Sequence, residues 1–350
     1  MIKIAGAGLS GLTCALNLAK FGEEVLVHEK CKELGDKHGY NILAFKNYDL
    51  KDDVIKELKE SGVEGLYLYP IYKIKKFSPS FDSYDLYSKR PLFYTVVRGK
   101  VKESIEQNLY KSCIGEGVEI VFGKALSEED ATVVATGGKR PSVVGCGATF
   151  KDINMEKNTI YLFYDNQYAP GGYIYIAPYI NSATICLVCF DNKYFSKVRI
   201  FFERLLVENK IILDIIHEAT RVHSFLGFAD YSIPKVYKNG RYYVGEAAGF
   251  LEPSKGFGMR YAFISGFLAA RAIAKNEDYD MLWRNYFGKE LNEGTKLRKR
   301  LQQMTNKDYE NLIQRFKRTS NIKDYAEDKR LLVSESKNQK TAMIVQRMVS

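Results

Sequence analysis

Residues 4–11 of this 350-residue chain are Ile-Ala-Gly-Ala-Gly-Leu-Ser-Gly, and the acidic residue Glu29 follows 18 positions after the last glycine. The run Ile2–Ala5 has the composition of a short buried strand, and Leu12–Lys20 has helical spacing. Val25–Val27 is typical of a second strand. A Gly-x-Gly-x-x-Gly turn between such a strand and helix is the fingerprint of a dinucleotide-binding βαβ unit.

Each conspicuous residue of this unit has a physical task. Gly6 permits the tight turn, Gly8 lets a pyrophosphate approach the backbone, and Gly11 lets the helix pack on the sheet. The helix N-terminus offers N–H groups and a positive dipole end to phosphates. Glu29 is placed to accept hydrogen bonds from adenosine ribose hydroxyls. The alternative is a glycine-rich turn that binds no ligand.

Two later blocks distinguish FAD from NAD. Ala131–Gly138 is a β-branched strand that ends in Thr-Gly-Gly, and Tyr242–Gly258 contains Gly-Glu-Ala-Ala-Gly and Gly-Phe-Gly. A long helix rich in small residues, Met259 to Ala274, follows. These blocks resemble those of FAD-dependent oxidoreductases in the geranylgeranyl reductase and aromatic hydroxylase superfamily. The resemblance covers roughly residues 1–275 with the blocks in the family's order, and together they indicate FAD.

The resemblance implies roles for residues outside the first turn. An Asp of the family binds the ribityl hydroxyls, and Glu246 stands at that position here. The turn with Pro253, Gly256 and Gly258 would lie against the isoalloxazine ring, and Arg98 would contact the FAD phosphates or ribose. The predicted cofactor-binding residues are Gly6, Gly8, Leu9, Ser10, Gly11, Glu29, Lys30, Arg98, Thr136, Gly137, Glu246, Pro253, Gly256, Gly258 and Met259.

The run Pro170–Pro178 resembles a Gly-Gly-Tyr-x-Trp-x-Phe-Pro segment of geranylgeranyl reductases, which lines a lipid-shaped cavity over the flavin. Here Tyr175 replaces the Trp and Ala177 replaces the Phe. Strand alternation places Tyr173, Tyr175 and Ala177 on one face, which we expect to contact substrate. The alternative is a sheet face that packs on protein core.

We expect reduced FAD to deliver hydride to a carbon–carbon double bond of an isoprenoid chain. The reductases often carry a Cys near the flavin in the loop after the ribose-binding acid, and this chain has none there beyond Cys31. His38 or Tyr40 could deliver the proton instead, since an imidazole can titrate near neutral pH. Two alternatives remain: a FAD-dependent monooxygenase, and an isoprenoid-binding escort protein of the same fold without flavin chemistry.

Only one dinucleotide fingerprint is present, so no separate NAD(P)H domain is predicted. Electrons would come from NAD(P)H that docks transiently at the flavin, or from a ferredoxin-type carrier protein. The net charge is +10, and residues 289–350 hold 15 Lys and Arg against 8 Asp and Glu. This basic region, with Lys296–Arg300 on a helix, suits an acidic carrier protein, anionic lipid headgroups at the membrane surface, or solvent alone.

Composition excludes several other classes. No run of about 18 apolar residues occurs, so no membrane-spanning helix is predicted, and the glycine spacing argues against a signal peptide. We expect a cytoplasmic protein, peripheral to a membrane at most. No nucleic-acid-binding motif accompanies the basic charge. The six cysteines lack zinc spacing, Cys186 and Cys189 should face opposite sides of a strand, and no metal site is predicted.

The predicted fold is α/β: a Rossmann-like FAD-binding domain, a strand-rich substrate domain and a helical C-terminal region. Residues 1–45, 95–145 and 240–275 are assigned to the discontinuous FAD-binding domain. Residues 46–94 and 146–239 form the substrate domain, with predicted strands at 159–164, 173–178 and 183–190. Residues 276–350 form the helical region, and 46% hydrophobic content suffices for a large core.

Overall fold

The computed structural model describes residues 1–48, 50–232 and 234–319. Within these residues the chain forms three β-sheets and nine α-helices. The strands are β1 (Ile2–Ala5), β2 (Val25–Glu29), β3 (Tyr40–Lys46), β4 (Tyr69–Ile71), β5 (Lys73–Phe77), β6 (Ser83–Tyr87), β7 (Phe93–Gly99), β8 (Glu119–Phe122), β9 (Val133–Val134), β10 (Val143–Lys151), β11 (Thr159–Phe163), β12 (Tyr173–Tyr179), β13 (Ser182–Cys189), β14 (Thr220–Ala229), β15 (Tyr237–Lys238) and β16 (Arg241–Tyr243). The α-helices are α1 (Leu9–Lys20), α2 (Val54–Glu60), α3 (Ile105–Gly115), α4 (Val198–Glu208), α5 (Lys210–Ile216), α6 (Met259–Lys275), α7 (Tyr279–Trp283), α8 (Lys289–Leu301) and α9 (Asn306–Thr319).

The first sheet is the predicted dinucleotide-binding sheet. Its strand order is β15-β16-β9-β1-β2-β8, and β1 pairs in parallel with both β2 and β9. Helix α1 packs between this sheet and α6, where Leu12, Leu16 and Phe263 are fully buried or nearly so. The predicted strand–turn–helix–strand unit is therefore confirmed. Strand β9 returns beside β1, and β16 pairs in parallel with β9.

Several predicted helix starts differ from the observed ones. Helix α1 begins at Leu9 rather than Leu12, because Gly8 has extended backbone and already acts as its N-cap. The run Lys100–Ser112 has helical spacing and predicts a helix from residue 100. Helix α3 instead begins at Ile105, since the Ser104 hydroxyl caps it by accepting from the Gln107 N–H at 3.3 Å. Both differences arise at helix N-termini, where the cap decides the boundary.

The second sheet has seven strands in the order β14-β10-β13-β12-β11-β5-β6. Three of its strands, β11, β12 and β13, lie where the sequence predicted them, to within one residue at each end. Helices α4 and α5 cover one face, burying Phe202, Leu205 and Ile212 against it. The opposite face is turned toward the first sheet and forms a wall of the cavity described below.

A third sheet, β3-β7-β4, connects the other two. Strand β3 pairs with β7, and the Ile42 N–H donates to the Thr184 hydroxyl of β13 at 2.8 Å. The domain boundaries predicted at residues 45, 95 and 145 fall inside β3, β7 and β10. The division of the chain into domains stays a proposal.

The described part of residues 276–319 is helical, as predicted; residues 320–350 of the predicted helical region lie outside the described residues. Helices α8 and α9 pack on β5 and β11, where Leu297, Leu301 and Tyr309 are buried against Ile74 and Ile160. Among the described residues, no helix combines the length and the apolar composition needed to cross a membrane.

Candidate active-site cavity

A cavity of about 700 Å³ lies between the first two sheets and extends to the C-terminal helices. Its lining begins at Ala5 and Gly6 in the first turn and ends at Leu301 and Tyr309. The strands β1 and β2 supply one end, and β5, β11, α8 and α9 supply the other. The chain therefore builds this cavity from its whole described length.

The three glycines of the first turn have different surroundings. A Cβ added to Gly6 would lie 2.5 Å from the Ala135 carbonyl oxygen, and one added to Gly11 would lie 2.0 Å from the Gly6 carbonyl oxygen. A Cβ on Gly8 would meet nothing within 4 Å, although Gly8 lines the cavity. Gly6 and Gly11 are thus required by the fold, whereas the space at Gly8 is open to a ligand. This cradle at the N-terminus of α1 fits a dinucleotide pyrophosphate.

Glu29 is held at the edge of this cradle by backbone amides. The N–H groups of Ala7 and Cys31 each donate to its carboxylate at 2.9 Å. The carboxylate lines the cavity and keeps lone pairs for further donors. The position suits the predicted contact with ribose hydroxyls, and the amides fix its direction.

Most of the predicted cofactor-binding residues meet in the cavity. Those that line it are Gly6, Gly8, Leu9, Ser10, Glu29, Lys30, Arg98, Thr136, Gly137, Glu246, Gly256, Gly258 and Met259. Gly11 and Pro253 do not line it, since Gly11 packs on the backbone of the first turn and Pro253 lies against Gly294 of α8. Their contribution is to the packing behind the cavity.

Arg98 is engaged by protein groups. Its Nε donates to the Glu106 carboxylate, and its Nη2 lies 3.0 Å from Nε2 of His38. The Arg98 guanidinium, with burial and Lys37 as smaller causes, holds the pKa of His38 well below its ordinary value of 6.5. This direction is opposite to the expectation that the His38 imidazole titrates near neutral pH. His38 lines the cavity, but Tyr40 does not, and its carbonyl accepts from the Thr149 hydroxyl.

Glu246 lies in a 3-10 turn, Gly245–Ala248, and lines the cavity beside Gly138 and Gly258. Burial raises the pKa of its carboxyl, while a hydrogen bond from the Asp230 backbone and the charge of Arg98 oppose that rise. A ligand hydroxyl that donates to this carboxylate would favour its charged form. Glu246 therefore fits the ribityl contact that the resemblance implies.

The turn before α6 is fixed by its own hydrogen bonds. The Glu252 carboxylate accepts from the backbone N–H groups of Ser254 at 3.0 Å and Lys255 at 2.8 Å. The Glu252 N–H donates to the Phe257 carbonyl at 2.9 Å, and Gly256 adopts a left-handed φ of +81°. The turn thus presents Gly256, Phe257 and Gly258 to the cavity as a rigid edge.

Strands β12 and β13 form the wall opposite this turn. Tyr173 and Tyr175 line the cavity as predicted, and the Tyr173 hydroxyl donates to the Lys255 carbonyl at 2.5 Å. The expectation for Ala177 is wrong: it is fully buried between Ile42 and Val97 and does not line the cavity. The third sheet crosses the wall at this point, which strand alternation cannot reveal.

Cys186 is a cavity residue that the sequence did not predict. It lies opposite Tyr175 in the β12–β13 register, lines the cavity, and forms a hydrogen bond with the Tyr175 hydroxyl. Cys189 packs on the other side of the sheet, as predicted for two cysteines three positions apart. Burial raises the pKa of Cys186 to about 12, so its thiol keeps its proton at neutral pH. No cluster of metal-ligating side chains occurs within residues 1–48, 50–232 and 234–319.

Arg298 is a second cavity residue that the sequence did not predict, because Lys296–Arg300 has the composition of an exposed basic helix. Lys296 and Lys299 are exposed, but Arg298 is only 3% exposed and lines the cavity. Its Nη1 donates to the Ser254 carbonyl at 3.0 Å, its Nη2 donates to the Gly171 carbonyl, and it lies 4.1 Å from the Phe190 ring centroid. The helical period of α8, with Gly294 and Leu297 also buried, was the available signal.

No family model matches this chain. In sequence it is similar to the digeranylgeranylglycerophospholipid reductase of Methanocaldococcus jannaschii, with 25% identity over 89% of this chain and 89% of that protein. A second, uncharacterised protein of the same organism is 25% identical over 60% of this chain and 54% of its own length.

Solved structures have the same fold. A geranylgeranyl bacteriochlorophyll reductase-like protein from Thermoplasma acidophilum has a TM-score of 0.72 at 16% identity, covering 99% of this chain and 94% of that one. A flavin-dependent brominase has a TM-score of 0.61 at 19% identity, covering 85% and 84% of the two chains. The fold of the chain is thus one that flavin-dependent oxidoreductases adopt.

Proposed function

Because this chain belongs to the superfamily of FAD-dependent oxidoreductases that contains the geranylgeranyl reductases and aromatic hydroxylases, we propose that it reduces carbon–carbon double bonds of an isoprenoid chain with FAD. The observation that carries the proposal is the shape of the cavity. It continues past the turn at Gly256–Gly258 to a region lined by buried Ile74, Ile160 and Tyr309. A hydrocarbon gains about 0.8 kcal/mol for each CH₂ buried in such surroundings.

FAD would occupy the cavity from the first turn to the turn before α6. Gly8 and the N-terminus of α1 would hold the pyrophosphate, Glu29 the adenosine ribose, and Glu246 the ribityl chain. When bound and reduced, FAD supplies the hydride that goes to one carbon of the double bond. The backbone at Gly256–Gly258 would bind the edge of the isoalloxazine ring.

The second carbon of the double bond needs a proton, and the wall carries groups that hold one. Burial keeps the Cys186 thiol and the Tyr175 hydroxyl protonated, because it raises the pKa of both. The two groups are hydrogen bonded to each other and line the cavity. We propose that Cys186 donates its proton to the second carbon and recovers it through Tyr175.

A FAD-dependent monooxygenase is the second candidate, since a flavin-dependent brominase shares the fold. An isoprenoid-binding escort protein without flavin chemistry is the third. The position of Gly8 supports the two enzymes over the escort protein, because Gly8 lines the cavity at the N-terminus of α1 and leaves room there for a dinucleotide pyrophosphate. The purified protein's flavin spectrum, before and after incubation with FAD, tests this choice directly.

The proposed reaction also needs an electron donor that reduces the flavin. NAD(P)H docking transiently at the flavin and a ferredoxin-type carrier are both compatible with one dinucleotide fingerprint. The exposed basic residues Lys296 and Lys299 of α8 suit an acidic carrier or the headgroups at a membrane surface. We propose a cytoplasmic enzyme that contacts the membrane peripherally to reach a lipid substrate.

The test is mass spectrometry of a geranylgeranyl lipid incubated anaerobically with the reduced protein. Mass gains in steps of two hydrogens are expected, and a Gly8→Val variant, which should lack FAD, serves as the matched control. An unchanged lipid without oxygen, together with an added oxygen atom in air, would replace the reductase by the monooxygenase. Rates of anaerobic flavin reduction by NADPH, NADH and reduced ferredoxin would identify the donor.

A further inference from the structure

The buried guanidinium of Arg298 has a position that stability alone does not explain. Both of its Nη atoms donate to backbone carbonyls, one at Ser254 and one at Gly171, and its Nε is buried without a partner. Within the described residues, no Asp or Glu forms an ion pair with it. The Glu252 carboxylate is near, but its oxygens accept from Ser254 and Lys255. A positive charge without a paired carboxylate is costly to bury.

The charge lies beside the edge where the proposed flavin would meet the protein. Ser254, whose carbonyl Arg298 binds, is two residues before Gly256 in the rigid turn. Gly171, the other partner, directly precedes the Gly172–Tyr173 start of the wall strand. Arg298 itself lines the cavity between these two segments and stacks on Phe190. One side chain thus connects the turn, the wall and α8.

We propose that Arg298 stabilises the anionic form of the reduced flavin and thereby sets the reduction potential of the cofactor. This inference rests on the proposed binding of FAD against the turn at Gly256–Gly258. A two-electron reduction adds negative charge at the N1–C2=O edge of the ring, and a fixed cation beside it favours that form. The low dielectric of the buried site makes one unpaired charge effective.

The test compares Arg298→Gln with Lys299→Gln, which removes the same charge from an exposed neighbour on the same helix. Redox titration of the FAD-loaded proteins should give a more negative midpoint potential for Arg298→Gln and no change for Lys299→Gln. Sulfite, which forms an anionic adduct on oxidised flavin, should bind Arg298→Gln about ten-fold more weakly, the order expected for one nearby charge. Arg298→Lys should restore most of both properties.

Failure of this inference is distinguishable from failure of the proposed function. If Arg298→Gln binds FAD and folds normally but keeps the wild-type potential and sulfite affinity, Arg298 only clips the turn to the wall and the inference is overturned. If wild-type protein takes up no FAD, the proposed function fails first. Should Arg298→Gln not fold, the absorption spectrum of the reduced wild-type flavin decides: a neutral reduced flavin at neutral pH contradicts the inference.

Discussion

The two ends of the cavity are built in opposite ways. At the cradle end, which is formed by the first glycine turn and Glu29, the residues come from positions 6–29. Their hydrogen bonds are local, and the packing of Gly6 and Gly11 on Ala135 is the long-range contact. At the other end, β5, β11, α8 and α9 meet, so that Ile74, Ile160 and Tyr309 share one cluster across more than two hundred positions of sequence. The first end can be recognised in a short run of sequence, whereas the second exists only after folding.

Gly8→Val should have the largest effect, and it should act at one end only. The valine side chain has room in the protein but fills the place proposed for the pyrophosphate, so FAD retention should be abolished while the melting temperature changes little. Flavin absorbance after purification and a thermal melt measure the two effects. Gly115→Val, also in open space but at the exposed end of α3, should retain FAD.

If Gly8→Val unfolds the chain or keeps stoichiometric FAD, the proposed ligand-binding role of Gly8 is contradicted. Gly11→Ala supplies the opposite case, because its methyl group would lie 2.0 Å from the Gly6 carbonyl oxygen. Overpacking of this kind costs about 1–3 kcal/mol or more of unfolding free energy. A lowered melting temperature in Gly11→Ala, together with an unchanged one in Gly8→Val, would show that Gly11 is required for the fold and Gly8 for the ligand.

Cys186→Ala tests the wall, where the effect should be on rate and leave FAD affinity intact. Loss of the proposed proton donor should slow double-bond reduction about 100-fold, the lower range for a general acid. Cys189→Ala, on the opposite face of the same strand, should retain the wild-type rate. Single-turnover kinetics with a geranylgeranyl lipid measure both, and equal rates in the two variants would exclude Cys186 as the donor.

Glu29→Ala tests the proposed ribose contact at the cradle end. Removing the carboxylate should weaken FAD binding by about 1–3 kcal/mol through lost charge-assisted hydrogen bonds to ribose. It also frees the Ala7 and Cys31 amides, so a modest loss of thermal stability should accompany it. A flavin titration in which Glu29→Ala and the exposed-site control Glu24→Ala bind FAD equally would place the ribose contact elsewhere.

The smallest effect concerns His38. The pKa of His38 in the folded protein lies well below the ordinary value of 6.5. This difference therefore contributes to the stability of the folded protein, and the contribution is fully present above that pH. As the pH falls below about 6.5, the unfolded chain binds the proton more readily, and this contribution to stability is lost. His38→Gln should therefore reduce the loss of melting temperature between neutral pH and pH about 5. Identical acid profiles would contradict the effect of Arg98 on His38.

The sequence predicted the local structure of the cradle end closely, since the spacing of Gly6, Gly8, Gly11 and Glu29 is set by one strand and one helix. The burial of Ala177 and the inward position of Arg298 were not predicted, for physical reasons. Ala177 alternates with Tyr173 and Tyr175, yet a separate sheet covers it. Arg298 sits among surface cations in sequence, and only the packing of α8 shows that it points inward.

Because Arg298 and Tyr309 lie late in the sequence, the cavity can be completed only late during synthesis. The cradle at Gly8 leaves the ribosome early, but the cover formed by α8 and α9 emerges almost three hundred residues later. Until then, the apolar surface at Ile74 and Ile160 lacks its partners Leu297 and Leu301. The nascent chain thus exposes the apolar surface at Ile74 and Ile160 until α8 and α9 emerge, and exposed apolar surface of this kind favours aggregation.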